Sequence, residues 1–188
     1  MPFLKNIFIV FLILVSSTAH STALEETINP AIQKVQINGT MDVELNSHAN
    51  SNNYKVIYEG EKESIVTVEN KNGWLVVKSN GVFHEKPRLK INMVDAPLEY
   101  SASGIGESIL NINSNNDFHI MLNGVNKAKL IGQSDNIHFK LQGTSSIDLL
   151  NYSAKDFKGE IEGVSSLYIK EKAHLTIQKT GISKVYYK

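Results

Sequence analysis

Phe118-His119-Ile120-Met121-Leu122-Asn123-Gly124-Val125-Asn126-Lys127-Ala128-Lys129-Leu130 alternates apolar and other residues on both sides of one glycine. Counting outward from Gly124, apolar residues stand two, four and six positions before it and one, four and six after it. Alternation at period two places one set of side chains on a buried face and the other in solvent. The stretch therefore reads as two short strands hinged at a glycine. The same frame recurs around Gly104, Gly143, Gly163 and Gly181, with spacings of 20, 19, 20 and 18 residues from Gly104 onward. An earlier copy, Val35-Gln36-Ile37-Asn38-Gly39-Thr40-Met41-Asp42-Val43-Glu44-Leu45, has the same layout.

A repeat of this kind fixes an architecture before any motif is considered. Units of about 20 residues cannot close a core alone, and matching apolar positions are buried when successive units stack. The expected fold is all-β: a single-domain right-handed β-helix or β-solenoid, with equivalent strands about 4.8 Å apart and five regular coils rising about 24 Å. A glycine at each corner supplies positive φ or a close backbone approach without a Cβ clash. An antiparallel sandwich also suits short alternating strands, but it has no reason to repeat a glycine and its partners in register. After the first copy of the frame, a polar run over 46–53 leads into strands predicted at 54–59, 64–69 and 74–78, with Asn72-Gly73 as a tight turn. Pro87 precedes Leu89-Lys90-Ile91-Asn92-Met93, which re-enters the stack. The expected organisation is a β-meander insertion over 46–93 and regular coils over 98–188.

The ends and the composition set the compartment. Lys5, an apolar run from Ile7 to Val15 and small residues after it form a secretory signal over 1–23. The run is too short to span a bilayer, which takes about 20 residues. Cleavage fits after Ala19 or after Ala23, leaving a mature domain over 24–188 of about 165 residues. The chain has no cysteine, which removes both a disulfide framework and the lipidated cysteine of a lipoprotein. A soluble, exported domain is expected, periplasmic or at the cell surface, with no transmembrane segment after cleavage. Nineteen basic residues balance nineteen acidic ones, and Arg88 is the single arginine. That composition excludes a nucleic-acid binder, which favours a strongly basic face.

The signal, the early Gly39-Thr40 coil, the meander ending in Asn72-Gly73-Trp74-Leu75-Val76-Val77, Pro87-Arg88-Leu89-Lys90-Ile91 and the serial Gly-[Ile/Val/Thr] units together resemble the "putative auto-transporter adhesin, head GIN domain" family. The tripeptide of its name is present loosely as Gly124-Val125-Asn126, Gly143-Thr144-Ser145, Gly163-Val164-Ser165 and Gly181-Ile182-Ser183, and Gly104-Ile105-Gly106 departs at its third position. The resemblance implies an exported bacterial β-helix whose name suggests adhesion. It transfers no activity by itself.

Candidate chemistry is sparse. His119 and His138 both stand five residues before their glycines, so stacking places them side by side on the outer face, where two imidazoles could share a metal ion. The next two coils carry Lys158 and Thr176 there, so an exposed histidine pair is the better reading. Asn126, Ser145, Ser165 and Ser183 form a column two residues after the glycine, without a histidine in register to activate a nucleophile; stacked hydrogen bonds at the turn are expected. Glu160 and Glu162 share one strand face, while Asp148 and Glu107 lie on other coils, and no acid-base pair of the glycosidase kind emerges. No catalytic residue, cofactor or firm metal site is assigned. Tyr168 and Tyr186, five after their glycines, should face outward on adjacent coils with Tyr152 near them in chain order, as a surface for a sugar or a protein. The expected function is a non-enzymatic, adhesion-type binding domain for a protein, glycan or envelope component, with homo-oligomerisation through an end or a lateral sheet. The alternatives are a polysaccharide-processing enzyme and a self-assembling structural envelope protein.

Overall fold

The computed structural model describes residues 10–12, 22–25, 32–47, 54–59, 65–81, 86–170 and 173–188. Regular structure among them is entirely β-strand. The strands are β1 (Val10–Leu12), β2 (Thr22–Glu25), β3 (Lys34–Thr40), β4 (Asp42–Ser47), β5 (Lys55–Glu59), β6 (Ile65–Lys71), β7 (Trp74–Asn80) and β8 (Arg88–Met93). They continue as β9 (Glu99–Asn113), β10 (Phe118–Gln133), β11 (Asn136–Gly143), β12 (Ser146–Ser153), β13 (Asp156–Ile161), β14 (Ser166–Ile169), β15 (Leu175–Lys179) and β16 (Lys184–Tyr187). The fold is all-β, with an open sheet.

Pairing divides the strands into two ladders. The first runs β1-β6-β7-β3-β9-β10-β11-β13-β15, and the second β2-β5-β8-β4-β9-β10-β12-β14-β16. β9 and β10 belong to both, because each runs unbroken through its glycine. From β7 and β8 onward every pairing is parallel, with Gly39, Gly104, Gly124 and Gly143 in one register. Each glycine thus marks the passage from one ladder to the other within a layer.

The segment assigned from sequence to a meander divides in the structure. β6 and β7 form an antiparallel hairpin through Asn72 and Gly73, whose φ of 52° and 79° suit a two-residue hairpin turn. β7 and β8 themselves pair in parallel with β3 and β4, as a layer beneath them. Only β5 and β6 lie antiparallel outside that layer, backed by β2 and β1. Of the expected cleavage points, Ala23 lies in β2 and Ala19 is outside the described residues.

The core lies on the inward columns. Val35, Tyr100, Ile120 and Phe139 stand in register in the first ladder, and Leu45, Leu110 and Leu130 are buried in the second. Each large apolar side chain so buried contributes about 1.5–3 kcal/mol. Two departures from the apolar frame have packing causes. Ser108 takes an inward position because its hydroxyl meets the Tyr100 hydroxyl at 2.7 Å inside the core. Gly159 follows Phe139 in the same column, and a Cβ there would strike the Phe139 ring. In β12 the register slips by one residue opposite Lys129 and Ile131, and the Asp148 carboxylate accepts the Leu150 N–H at 2.9 Å. This is a bulge whose freed donor is satisfied locally.

Candidate binding surface

Residue types at the corners follow from close approach of successive layers. Val125 and Asn126 leave Gly124 in opposite directions, the first exposed and the second buried. The Asn126 amide donates to the Asn123 carbonyl at 2.5 Å and to the Gly104 carbonyl of the layer below at 3.2 Å. Ser145 donates to Gln142 at 2.9 Å and to Gly124 at 3.4 Å, and Ser165 to Glu162 at 3.0 Å and Gly143 at 3.4 Å. These hydroxyls are buried and engaged with backbone oxygens, as expected of a structural column. A nucleophile would need an accessible oxygen and a base.

On the outward face of the first ladder, His119 and His138 are in register, with ring centroids 4.7 Å apart and planes 10° from parallel. The predicted juxtaposition is present, and its geometry speaks to the metal reading. Imidazole lone pairs lie in the ring plane, so two nearly parallel rings direct them side by side instead of toward one point. Lys158 and Thr176 continue the column. Among the described residues no group of three His, Asp or Glu side chains is arranged to hold a metal ion. His138 Nε2 lies 3.8 Å from an Asp117 oxygen. His174 is exposed and bonds Asp156, while His20, His48 and His84 lie outside the described residues.

Beside the histidines stand paired charges. Lys140 Nζ is 2.7 Å from Glu160 and 3.7 Å from Glu162, and the Gln142 amide donates to Glu162 at 2.7 Å. The Gln142 hydrogen bond and then Lys140 hold the Glu162 carboxyl below its ordinary range, while Glu160 and Glu162 push Lys140 up. Glu107 pairs with Lys127 at 3.0 Å. The four carboxylates considered from sequence are thus engaged with a lysine, an amide or, at Asp148, a backbone N–H. A general acid at neutral pH needs the opposite, a carboxyl held protonated.

The second ladder carries the tyrosines. Tyr168 and Tyr186 are in register, with centroids 4.8 Å apart and planes 11° from parallel. Each ring covers one face of the other, Lys188 Nζ lies 6.0 Å from the Tyr168 ring centroid, and Tyr186 is the more exposed of the pair. Tyr152 does not join them; its ring is buried in the core, because the bulge in β12 turns it inward. One surface feature escaped the sequence reading. Ile105, Val125, Val164 and Ile182, one residue after their glycines, are all at least half exposed, and Ile182 reaches 72 %. They follow one another along the corner, with Thr144 at the same position between Val125 and Val164. The signal was available in parity: a residue at +1 cannot share the inward face with residues at +4 and +6.

The arrangement is an all-β fold of parallel ladders whose outward faces carry paired charges and stacked rings. Residues 31–188 match the model of the "putative auto-transporter adhesin, head GIN domain" family, and the chain belongs to that family. Among solved structures it is similar to a "putative adhesin" from Bacteroides fragilis, at 14% identity and a TM-score of 0.58, covering 98% of both chains. A "putative adhesin" from Parabacteroides merdae is more distant, at 15% identity and a TM-score of 0.41 over 93% of this chain and 98% of the other. A "putative lipid binding protein" from Parabacteroides distasonis shares 11% identity, with a TM-score of 0.40 over 90% and 96%. No curated protein matches the chain.

Proposed function

We propose that this chain is an exported, non-enzymatic binding domain of a bacterial envelope, a β-solenoid that attaches a protein, glycan or other envelope component through its outward strands. The parallel registers at about one layer per 20 residues support the solenoid reading, with β9 and β10 each forming most of a coil. Lys5 and the apolar run that follows support export, with a signal over 1–23 cleaved after Ala19 or Ala23 and action in the periplasm or at the cell surface. The family's description favours adhesion over catalysis.

The observation that carries the binding surface is the Tyr168–Tyr186 stack, with Val164 and Ile182, four residues before each tyrosine, also exposed. Aromatic side chains at the centre of a patch dominate recognition, because they bury large area at low entropic cost. Retention of envelope extract on immobilised protein tests the surface. Tyr168→Ala/Tyr186→Ala should weaken that retention about tenfold or more at unchanged melting temperature, and full retention would refute the assignment.

A further inference from the structure

The outward face of the first ladder carries a groove of about 480 Å³ that crosses the strands from Glu99 to Thr176. Phe139 and Gly159 of the inward column line its floor, and its walls are the rank five residues before the glycines, from Glu99 to Thr176, and the rank three before them, from Met121 to Gln178. Five layers give it a length of about 19 Å, and the two ranks stand about 7 Å apart along the strands. We propose that this groove binds one chain of an uncharged oligosaccharide lying along the stack.

The shape and chemistry exclude the other common occupants. A helix is about 10–12 Å across with its side chains, wider than the ranks allow. An extended peptide joins a sheet through a free edge. Here the floor's N–H and C=O groups are already paired between β10, β11 and β13, so a crossing peptide would leave its own backbone unsatisfied. A charged polymer would compete with charges already matched: Lys140 with Glu160 and Glu162, Lys34 with Glu99 at 2.8 Å, His138 near Asp117. A hydroxyl both donates and accepts, which suits a wall where the donor Lys140 adjoins the acceptor Glu160 and the Gln178 amide offers both roles. Met121, exposed on the wall, and the stacked imidazoles supply apolar contact for C–H faces. The pyranose repeat of a linear glycan is comparable with the strand spacing, so successive sugars meet equivalent positions on successive layers.

This inference rests on the reading of the chain as an exported binding domain and is independent of the tyrosine surface. Calorimetric titration of the purified protein with neutral hexasaccharides of β-1,4-glucose, α-1,4-glucose, β-1,4-mannose, β-1,4-xylose and β-1,4-N-acetylglucosamine tests it, with hexagalacturonate as the charged counterpart. Saturable binding of at least one neutral hexamer is expected. It should weaken about tenfold or more in His119→Ala/His138→Ala and in Met121→Trp, which fills the groove from its wall. It should be unchanged in Tyr168→Ala/Tyr186→Ala. Binding of hexagalacturonate alone, binding of none of the neutral hexamers, or neutral binding indifferent to the histidine and Met121 variants would overturn it. Envelope retention without hexamer binding would remove the groove and leave the proposed function standing; hexamer binding with tyrosine-independent retention would remove the tyrosine surface and leave the groove standing.

Discussion

On the inward side of the two ladders packing fixes residue size and polarity; on the outward side neighbours one layer apart pair by charge or stacking, but no residue type is kept along a column. Inward, Gly159 is small because the Phe139 ring one layer away lies against it, Gly143 is bare because Gly124 is beneath it, and Ser108 is polar because Tyr100 of its own strand reaches it across the core. Outward, the column five residues before the glycine runs Glu99, His119, His138, Lys158, Thr176, and the column five after it runs Ile109, Lys129, Asp148, Tyr168, Tyr186. Repetition is therefore a record of packing. Recognition has to be sought where the repeat lapses, which is where both candidate surfaces lie.

The contrast predicts unequal costs for small changes on the two sides, and the corner should show the largest. At Gly143, with φ of 79°, an added Cβ would stand 2.7 Å from the Gly124 carbonyl oxygen and 3.2 Å from its nitrogen, both backbone atoms in a ladder. The left-handed backbone costs a residue with a Cβ about 1–2 kcal/mol, and the layers must also part. Gly143→Ala should cost about 3 kcal/mol or more. The exposed Thr176→Ala should stay within about 0.5 kcal/mol. Urea unfolding of both variants measures the gap, and a Gly143→Ala cost below about 1 kcal/mol would remove the corner as what fixes the layer spacing.

A second difference lies in pH. Burial raises the phenols of Tyr100 and Tyr152, the latter up to about 12, whereas the groups held low, Glu44, Asp156 and Glu162, are half-buried surface carboxylates. The largest causes at those carboxylates are hydrogen bonds from Asn46, His174 and Gln142 respectively. For the tyrosines, the folded protein keeps protons that the unfolded chain releases above about pH 10. Their contribution to stability is complete below that pH and falls as pH rises toward the folded values, by about 1.4 kcal/mol per pH unit for each. The carboxylates act in the other direction: their contribution is present above about pH 4.5 and is lost as pH falls, and solvent screening keeps it small. Denaturant midpoints between pH 9 and 12 should fall steeply, and less steeply in Tyr100→Phe; an alkaline limb no steeper than the acid one would contradict this.

The positions that repeat were legible and the order of layers was not. Reading outward from each glycine placed Ile120, Leu122, Leu130 and Leu141 in the core and brought His119 onto His138 and Tyr168 onto Tyr186, because period two and a fixed unit length leave little freedom. The burial of Tyr152 was not legible, because a bulge shifts parity by one residue and is seen only once the Leu150 N–H bonds Asp148. Leu89-Lys90-Ile91-Asn92-Met93 was expected to re-enter the stack, as β8 does beside β4, but the place of β7 in the same layer was hidden for a different reason. Trp74–Asn80 carries Ser79 where the other units carry glycine, so the marker residue is missing although the pairing with β3 is the same. There the Thr40 N–H donates to the Ser79 hydroxyl at 2.9 Å, and that hydroxyl donates to the Thr40 carbonyl at 3.1 Å: a side chain takes over the contact that glycine otherwise makes bare.

The smallest effect expected on the inward side separates hydrogen bonding at the corner from backbone shape. Ser165 donates to two carbonyls, but the Gly143 oxygen also accepts the Val164 N–H at 2.8 Å, so its loss leaves only the Glu162 oxygen without this donor. Ser165→Ala should therefore cost about 1 kcal/mol, the worth of one hydrogen bond. Ser145 repeats the arrangement one layer down, with the Thr144 N–H bonding the Gly124 oxygen at 2.8 Å, and should show the same cost. The two sites share a corner column one layer apart, so the double variant should exceed the sum of the singles if the hydroxyls hold adjacent layers as one unit, and should equal it if each serves its own turn. Because the bonds at 2.9 and 3.0 Å are within the layer and those to the layer below are 3.4 Å, additivity is the expected outcome, and a coupling above about 0.5 kcal/mol in denaturant titration would transfer the main role of this column from shaping turns to joining layers.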